Sequence, residues 1–185
     1  TKKAHIFNQL GYINTDQGEL SKALEYYEKS LEVKRKTLPA NHPSLANSYN
    51  NIGLVYNSMG EYSKALEYYE KSLEIMKKTL PANHPSLATS YNNIGLVYNS
   101  TGEYSKALEY YEKSLEIMKK TLPTNHPSLA TSYNNIGCIY RNKTDYKKAL
   151  DYFDRALDIC QRSLPSNHPN IENMKRKIDL VKNKL

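Results

Sequence analysis

Four histidines, His42, His84, His126 and His168, recur at a constant interval of 42 residues, each followed by proline. Imidazoles at a fixed spacing suggest metal ligation, which needs several donors about 2 Å from one ion. Here each stands alone on its own segment, and stacked copies would lie about 10 Å apart. Capping and loop packing are therefore the expected roles, and no metal site is expected. Cys138 and Cys160 are too few for a disulfide framework and lack the clustering of a structural zinc site, which points to a reducing compartment and a cytoplasmic location. The carboxylates are interleaved with lysines in a helical pattern and read as solvated faces. No Ser/His/Asp or Cys/His arrangement, phosphate-cradling glycine loop or HExxH motif is present, so neither an enzyme nor a cofactor is expected. The chemistry left is that of carboxamides: asparagines in doubled pairs, Asn50-Asn51, Asn92-Asn93 and Asn134-Asn135, at the same interval. Each carries two donors and an acceptor, the complement of a peptide backbone lying extended in a groove.

The elements that position these groups follow from self-similarity. Residues 44–85 and 86–127 differ only at Asn47/Thr89, Met59/Thr101 and Ala82/Thr124. Gly11, Gly53, Gly95 and Gly137 fall in register, as do Ala23, Ala65, Ala107 and Ala149, and Leu-Pro-x-Asn-His-Pro occurs four times. The chain of 185 residues thus divides into repeats 2–43, 44–85, 86–127 and 128–169, followed by 170–185. It has 39% apolar and 24% charged residues, too apolar for a disordered chain. No apolar run reaches the roughly 18 residues of a membrane span, and the first residues contain no secretory apolar core. The chain begins at Thr1 rather than Met, with a shortened first helix, and reads as a piece of a longer array. The sequons Asn99-Ser100-Thr101 and Asn142-Lys143-Thr144 are short enough to arise by chance in an asparagine-rich chain.

Within a repeat, Leu45, Tyr49, Ile52 and Tyr56 fall at steps of four, three and four, the stripe of an amphipathic helix. Pro43 suits its first turn, where a missing N–H costs nothing, and it holds His42 extended as a cap. Gly60 closes the helix. A second stripe, Tyr62, Ala65, Leu66, Tyr69, Leu73 and Met76, predicts a helix to about Thr79, supported by Glu67–Lys71 and Glu74–Lys78 at i,i+4. Pro81 and Pro85 keep the connector out of either helix. Neither helix buries its stripe alone, so the pairs must stack. Gly53 in mid-helix costs about 1 kcal/mol relative to alanine; its recurrence predicts a neighbouring helix packed on bare backbone, with Ala65 as the expected small partner. Tyr49, Tyr56 and Tyr69 are expected in the buried stripe with their hydroxyls reaching a rim, and Tyr26, Tyr68 and Tyr110 beside it, half exposed.

The series Tyr49, Ile52, Gly53, Tyr56, Gly60, Ala65, Tyr69 resembles the tetratricopeptide repeat, although that family's usual period is about 34 residues and its usual Trp is here Tyr. The 42-residue spacing, the YNNIG and KALEYYEKSLEI segments and the LPANHPS connector are similar to the repeats of kinesin light chain and its relatives, over residues 2–169. The resemblance implies an all-α, right-handed superhelical solenoid of antiparallel helix pairs, with first helices on the concave side. It also implies that the asparagines of those helices grip an extended peptide, as the cargo-binding face of kinesin light chain does.

Rotation by 100° per residue sets Asn47, Asn50, Leu54 and Asn57 on one stripe away from the apolar one, with Asn51 at its margin. The equivalents are Thr89, Asn92, Asn93, Leu96 and Asn99; Thr131, Asn134, Asn135, Cys138 and Arg141; and, in the first repeat, Asn8 and Tyr12. Asn51, Asn93 and Asn135 admit two readings, a ligand contact or a bond holding neighbouring helices in register. The net charge of +7 is concentrated at the ends: 44–85 and 86–127 are neutral, while 170–185 carries +3. Neutral recurring groove residues argue against nucleic acid as partner. Arg141, with Lys143 and Arg176, predicts a mild preference for acidic ligands at the C-terminal end. Ile171, Met174, Ile178 and Val181 form one apolar stripe in 170–185, a capping helix with a lysine-rich outer side. The expected function is a non-catalytic module that binds a linear peptide segment of another protein. The alternatives are a self-associating repeat array, which the near-identical copies favour, and a targeting or autoinhibitory arm of a larger enzyme.

Overall fold

Each connector turns into a first helix through the same device. In the computed structural model, which describes residues 2–185, the Nδ1 of His42 accepts a hydrogen bond from the Ser44 amide at 3.1 Å, with the His42 backbone extended. His84, His126 and His168 cap the next first helices in the same way, with Pro85, Pro127 and Pro169 at the first helical position. The expected capping role of the histidines is therefore realised, through an imidazole nitrogen in the place a serine or aspartate oxygen commonly takes.

Among the described residues the elements are all α-helical: α1 Lys2–Asp16, α2 Leu20–Thr37, α3 Pro43–Ser58, α4 Tyr62–Thr79, α5 Pro85–Ser100, α6 Tyr104–Thr121, α7 Pro127–Asn142, α8 Tyr146–Ser163 and α9 Pro169–Lys182. They form two compact units, Thr1–Ala82 and Asn83–Leu185. In the first, α1 packs on α2, α2 on α3 and α3 on α4; in the second, each helix from α5 to α9 packs on the next. The turn inside each pair closes on a left-handed residue, Gly18, Gly60 and Gly102 in the first three repeats and Thr144, at φ 60°, in the fourth.

Close packing within a pair rests on the mid-helix glycine, but its partner is not the expected alanine. A Cβ placed on Gly53 would lie 2.7 Å from Cδ1 and 2.8 Å from Cε1 of Tyr69, and Gly137 meets Phe153 in the same way. The aromatic ring lies flat on bare helix backbone, and Tyr69 is only 1% exposed. Burial pushes the hydroxyl pKa of Tyr69 and Tyr111 well above the ordinary tyrosine range. Ala65 is fully buried, yet the space at Gly53 is filled by the ring one turn further along α4.

The other tyrosines of the stripe lie nearer the surface than Tyr69. Tyr49 and Tyr56 are half-buried rather than sealed in the core. Both pack on Tyr68, with centroids 6.1 and 5.5 Å apart, and Lys71 lies over the Tyr68 ring at 5.0 Å. The deep core instead contains Ile52, Val55 and a serine the apolar pattern does not mark. Ser72 is completely buried and donates to the Ala46 carbonyl at 2.8 Å; Ser30 and Ser114 bond Ala4 and Ala88 identically. In the fourth repeat Ala156 takes that place and needs no partner. The expected Glu67–Lys71 and Glu74–Lys78 pairs form on the outer face, at 2.5 and 2.6 Å. Exposed pairs of this kind contribute only a few tenths of a kcal/mol each.

Candidate peptide-binding face

The first helices hold their asparagines at the edge of the packed interface, half in the stack and half in solvent. In the first unit Asn8, Asn50, Asn51 and Asn57 are half-buried, while Asn47, Leu54 and Tyr12 are exposed, Leu54 at 40% and Tyr12 at 63%. In the second, Asn92, Asn93, Asn99, Asn134, Asn135, Cys138 and Arg141 are half-buried, Thr89 and Thr131 exposed, and Leu96 is 38% exposed.

The carboxamides are tied to one another. Asn51 donates through Nδ2 to Oδ1 of Asn8 at 3.2 Å, and Asn135 donates to Oδ1 of Asn92 at 3.2 Å. The second asparagine of a pair thus reaches back to the first asparagine of the preceding first helix. Asn51 and Asn135 each make a bond within the stack. The bond uses the acceptor of Asn8 and Asn92 and leaves their N–H groups as donors, suited to carbonyl or carboxylate oxygens. Asn134 donates to Oδ1 of Asn135 at 3.4 Å, and the Cys138 thiol lies 4.0 Å from Asn134 Oδ1.

The rungs close on residues the sequence reading did not single out. Lys177 of α9 donates to Oδ1 of Asn134 at 2.6 Å, the place an asparagine occupies in the earlier repeats. Leu180, 55% exposed, continues the register of Leu54, Leu96 and Cys138. Aligning 170–185 on the 42-residue interval would have identified both; the loss of Tyr and Gly there drew attention to capping instead. Of the cations proposed for acidic ligands, Arg141 is half-buried with Nη2 3.5 Å from Asn142, Arg176 bonds Asn173, and Lys143 is exposed.

Not every stripe residue is an open amide. The Oδ1 atoms of Asn57 and Asn99 are buried without a hydrogen-bond partner. In the first repeat Thr15 holds this register beside Tyr27, whose hydroxyl pKa is raised by burial, with the Thr15 contact opposing. A pocket of about 460 Å³ in the first unit is lined by Asn8, Gln9, Tyr12, Tyr27, Asn51 and Leu54, joining polar donors to an aromatic and an aliphatic wall. No group of three or more His, Cys, Asp or Glu among the described residues is placed to hold a metal, and no helix among them is long and apolar enough to cross a membrane.

The same architecture occurs in solved proteins. A Podosopora anserina protein assigned to the kinesin light chains, with nearly identical TPR-like repeats, superposes with a TM-score of 0.84 at 25% identity, covering 97% of this chain and 85% of that one. BtubC (BKLC) from P. vanneervenii gives a TM-score of 0.86 at 23% identity, covering 96% and 71%, and the apo form of RapI gives 0.78 at 22%, covering 99% and 70%. No curated protein sequence matches significantly. Repeats of this fold generally serve as non-catalytic scaffolds that bind partner proteins, and this chain is a protein-interaction repeat module of that kind. The tetratricopeptide repeat pattern matches residues 3–78, 56–120 and 86–162, and with the helix pairs, the glycine–aromatic contact and these neighbours it establishes that the chain belongs to the tetratricopeptide repeat family.

Proposed function

We propose that the chain is a non-catalytic adaptor whose first-helix face captures an extended peptide segment of a partner protein. The observation that carries this reading is the pair of inter-helix amide bonds, Asn51 to Asn8 and Asn135 to Asn92. They fix the carboxamides before a ligand arrives, each bond using one N–H of Asn51 or Asn135 and the oxygen of Asn8 or Asn92. Little receptor ordering then opposes binding, and the expected affinity is micromolar, about 8 kcal/mol. Leu54, Leu96 and Tyr12 offer shallow apolar contacts to side chains, while Arg141 and Lys177 bias their end toward acidic residues. The four repeats act as one module, and the free thiols Cys138 and Cys160 suit a reducing compartment such as the cytoplasm.

The test is a peptide-array screen on the chain, followed by titration of the best binder against variants. Asn92→Ala with Asn134→Ala is expected to weaken capture about tenfold or more while the far-ultraviolet melt stays cooperative. Leu96→Glu, which breaks no internal bond, is expected to do the same, and Arg141→Glu to weaken acidic peptides selectively. Unchanged affinity in the folded asparagine and leucine variants would reject the face as the binding site.

A further inference from the structure

A cavity of about 290 Å³ opens in the second unit between the end of α6, the apolar stripe of α7 and the outer side of α8. Leu129 and Ile159, 3% and 6% exposed, form its floor, with half-buried Tyr133 beside them. Its rim carries three cations, Lys119, Arg155 and Arg162, against one carboxylate, Asp158. Helix α5 precedes these elements and α9 follows them, so the cavity lies inside the stack rather than at an end of the sequence. Its volume is at the lower end of the range for small-ligand sites.

The fourth repeat departs from the inner ones at this place. Arg155 and Arg162 stand in the registers of Lys71 and Lys78, and of Lys113 and Lys120, while Asp158 stands in that of Glu74 and Glu116. The lysines are compact point charges, and Lys71 and Lys78 lie on Glu67 and Glu74 at 2.5 and 2.6 Å. A guanidinium carries a fork of donors. Arg155 gives Nη2 to Asp151 at 3.0 Å and Arg162 gives Nη2 to Asp158 at 2.9 Å, which leaves further N–H groups of both forks for a ligand. Arg155 is also oriented by aromatic rings, its Cζ 6.0 Å from the Tyr133 centroid and 5.7 Å from that of Tyr152. Thr124, one of the few positions that distinguish residues 86–127 from 44–85, lines the same cavity and adds a hydroxyl where the earlier connectors have Ala40 and Ala82.

An apolar floor with one aromatic wall under three cations selects a flat apolar body with an anionic end. A dianionic phosphate, with three oxygens, engages two guanidinium forks and an ammonium more fully than a carboxylate does. A phosphate on serine has too short a stem to place carbon on the floor. We propose that this cavity binds an aryl phosphate, the phosphotyrosine side chain of a partner protein, with its ring on Leu129, Tyr133 and Ile159 and its phosphate between Arg155, Arg162 and Lys119. The site uses the apolar stripe of α7, not Asn134 or Asn135, and is independent of the asparagine face.

The probe is a fluorescein-labelled glycine-rich peptide with one phosphotyrosine, titrated with the whole chain by anisotropy beside its tyrosine and phosphoserine counterparts. Saturable binding is expected, about tenfold or more tighter than for either counterpart. Phenyl phosphate should displace the probe at concentrations where inorganic phosphate does not. Arg155→Lys with Arg162→Lys keeps the charge and restores the residues of the inner repeats, so circular dichroism should stay native while affinity falls about tenfold. Thr124→Ala should weaken binding by a smaller factor, and Asn92→Ala with Asn134→Ala should leave it unchanged. No saturable binding, equal affinity for the phosphoserine peptide, equal displacement by inorganic phosphate, or unchanged affinity in the folded lysine variant would each overturn the proposal. Loss of binding in the asparagine variant alone would overturn it by moving the phosphopeptide to the first-helix face.

Discussion

Gly53→Ala separates a packing glycine from a merely inherited one. The added methyl carbon would approach three atoms of the Tyr69 ring at 2.7, 2.8 and 3.2 Å, where unstrained carbon contacts begin near about 3.5 Å. The ring must retreat by roughly 0.7 Å, and it cannot move into solvent because it is 1% exposed. Overpacking of this kind costs about 1–3 kcal/mol. Alanine at a helical position recovers about 1 kcal/mol over glycine. The net expectation is a loss of about 0–2 kcal/mol, its midpoint of about 1 kcal/mol corresponding to about 3 °C in melting temperature for a chain of this size. The decisive assay is a double-mutant cycle by urea denaturation. With Tyr69→Leu as background the flat ring is gone, and Gly53→Ala should become neutral or stabilising by up to about 1 kcal/mol. A coupling of at least about 1 kcal/mol between the two sites is therefore expected. If Gly53→Ala changes stability equally with tyrosine or leucine at position 69, the ring does not require the glycine and the account of the repeat's packing is wrong.

Two further outcomes follow from single positions. Thr144 is a β-branched residue at φ 60° where Gly18, Gly60 and Gly102 serve the other repeats; Thr144→Gly should stabilise the chain by about 0.5–1 kcal/mol, the left-handed penalty less the entropy glycine loses on folding, read as a raised urea midpoint. Tyr69 and Tyr111 have pKa values raised by burial, so their contribution is intact below the unfolded tyrosine value of about 10 and is lost as pH rises through the raised folded values, with a slope approaching about 1.4 kcal/mol per pH unit for each. Lys34, which burial pushes down, acts with the opposite sign below the ordinary lysine value of 10.5, so the tyrosine limb is to be measured above that pH. Tyr69→Phe with Tyr111→Phe, mimicking Phe153, should flatten this alkaline limb, and an unchanged slope would contradict burial of the hydroxyls.

The parts of the fold set by local chemistry were legible. Pro43 and Gly60 delimit α3, the expected end of α4 at Thr79 holds, and the four α9 residues expected to be apolar and inward are buried. What escaped depends on how one helix is rotated and shifted against another. Ala65 and Tyr69 share a stripe, and periodicity cannot tell which of them meets Gly53. Ser72 looks like surface in any hydropathy pattern, because its partner is a backbone carbonyl 26 residues away. Tyr49 and Tyr56 have the right period for the core but too much length for it, so their rings run to the rim and stack on Tyr68.

The asparagines show why the candidate face was only half readable. The 100° rotation sets Asn47, Asn50 and Asn57 away from the apolar stripe and only Asn51 at its margin, whereas Asn50, Asn51 and Asn57 are all half-buried, and the mutual bonds span 43 residues, one more than the repeat, and so depend on the axial offset of neighbouring helices. That offset lets the second asparagine of a pair, Asn51 or Asn135, donate to the first asparagine of the preceding first helix rather than to its own neighbour. A charged pair in the same place would hold the register in one protonation range only and would add a field at that face. Neutral amides avoid both effects. In α9 the same register carries Lys177, whose ammonium donates to Asn134 Oδ1, so that rung is a charge-assisted bond rather than an amide pair.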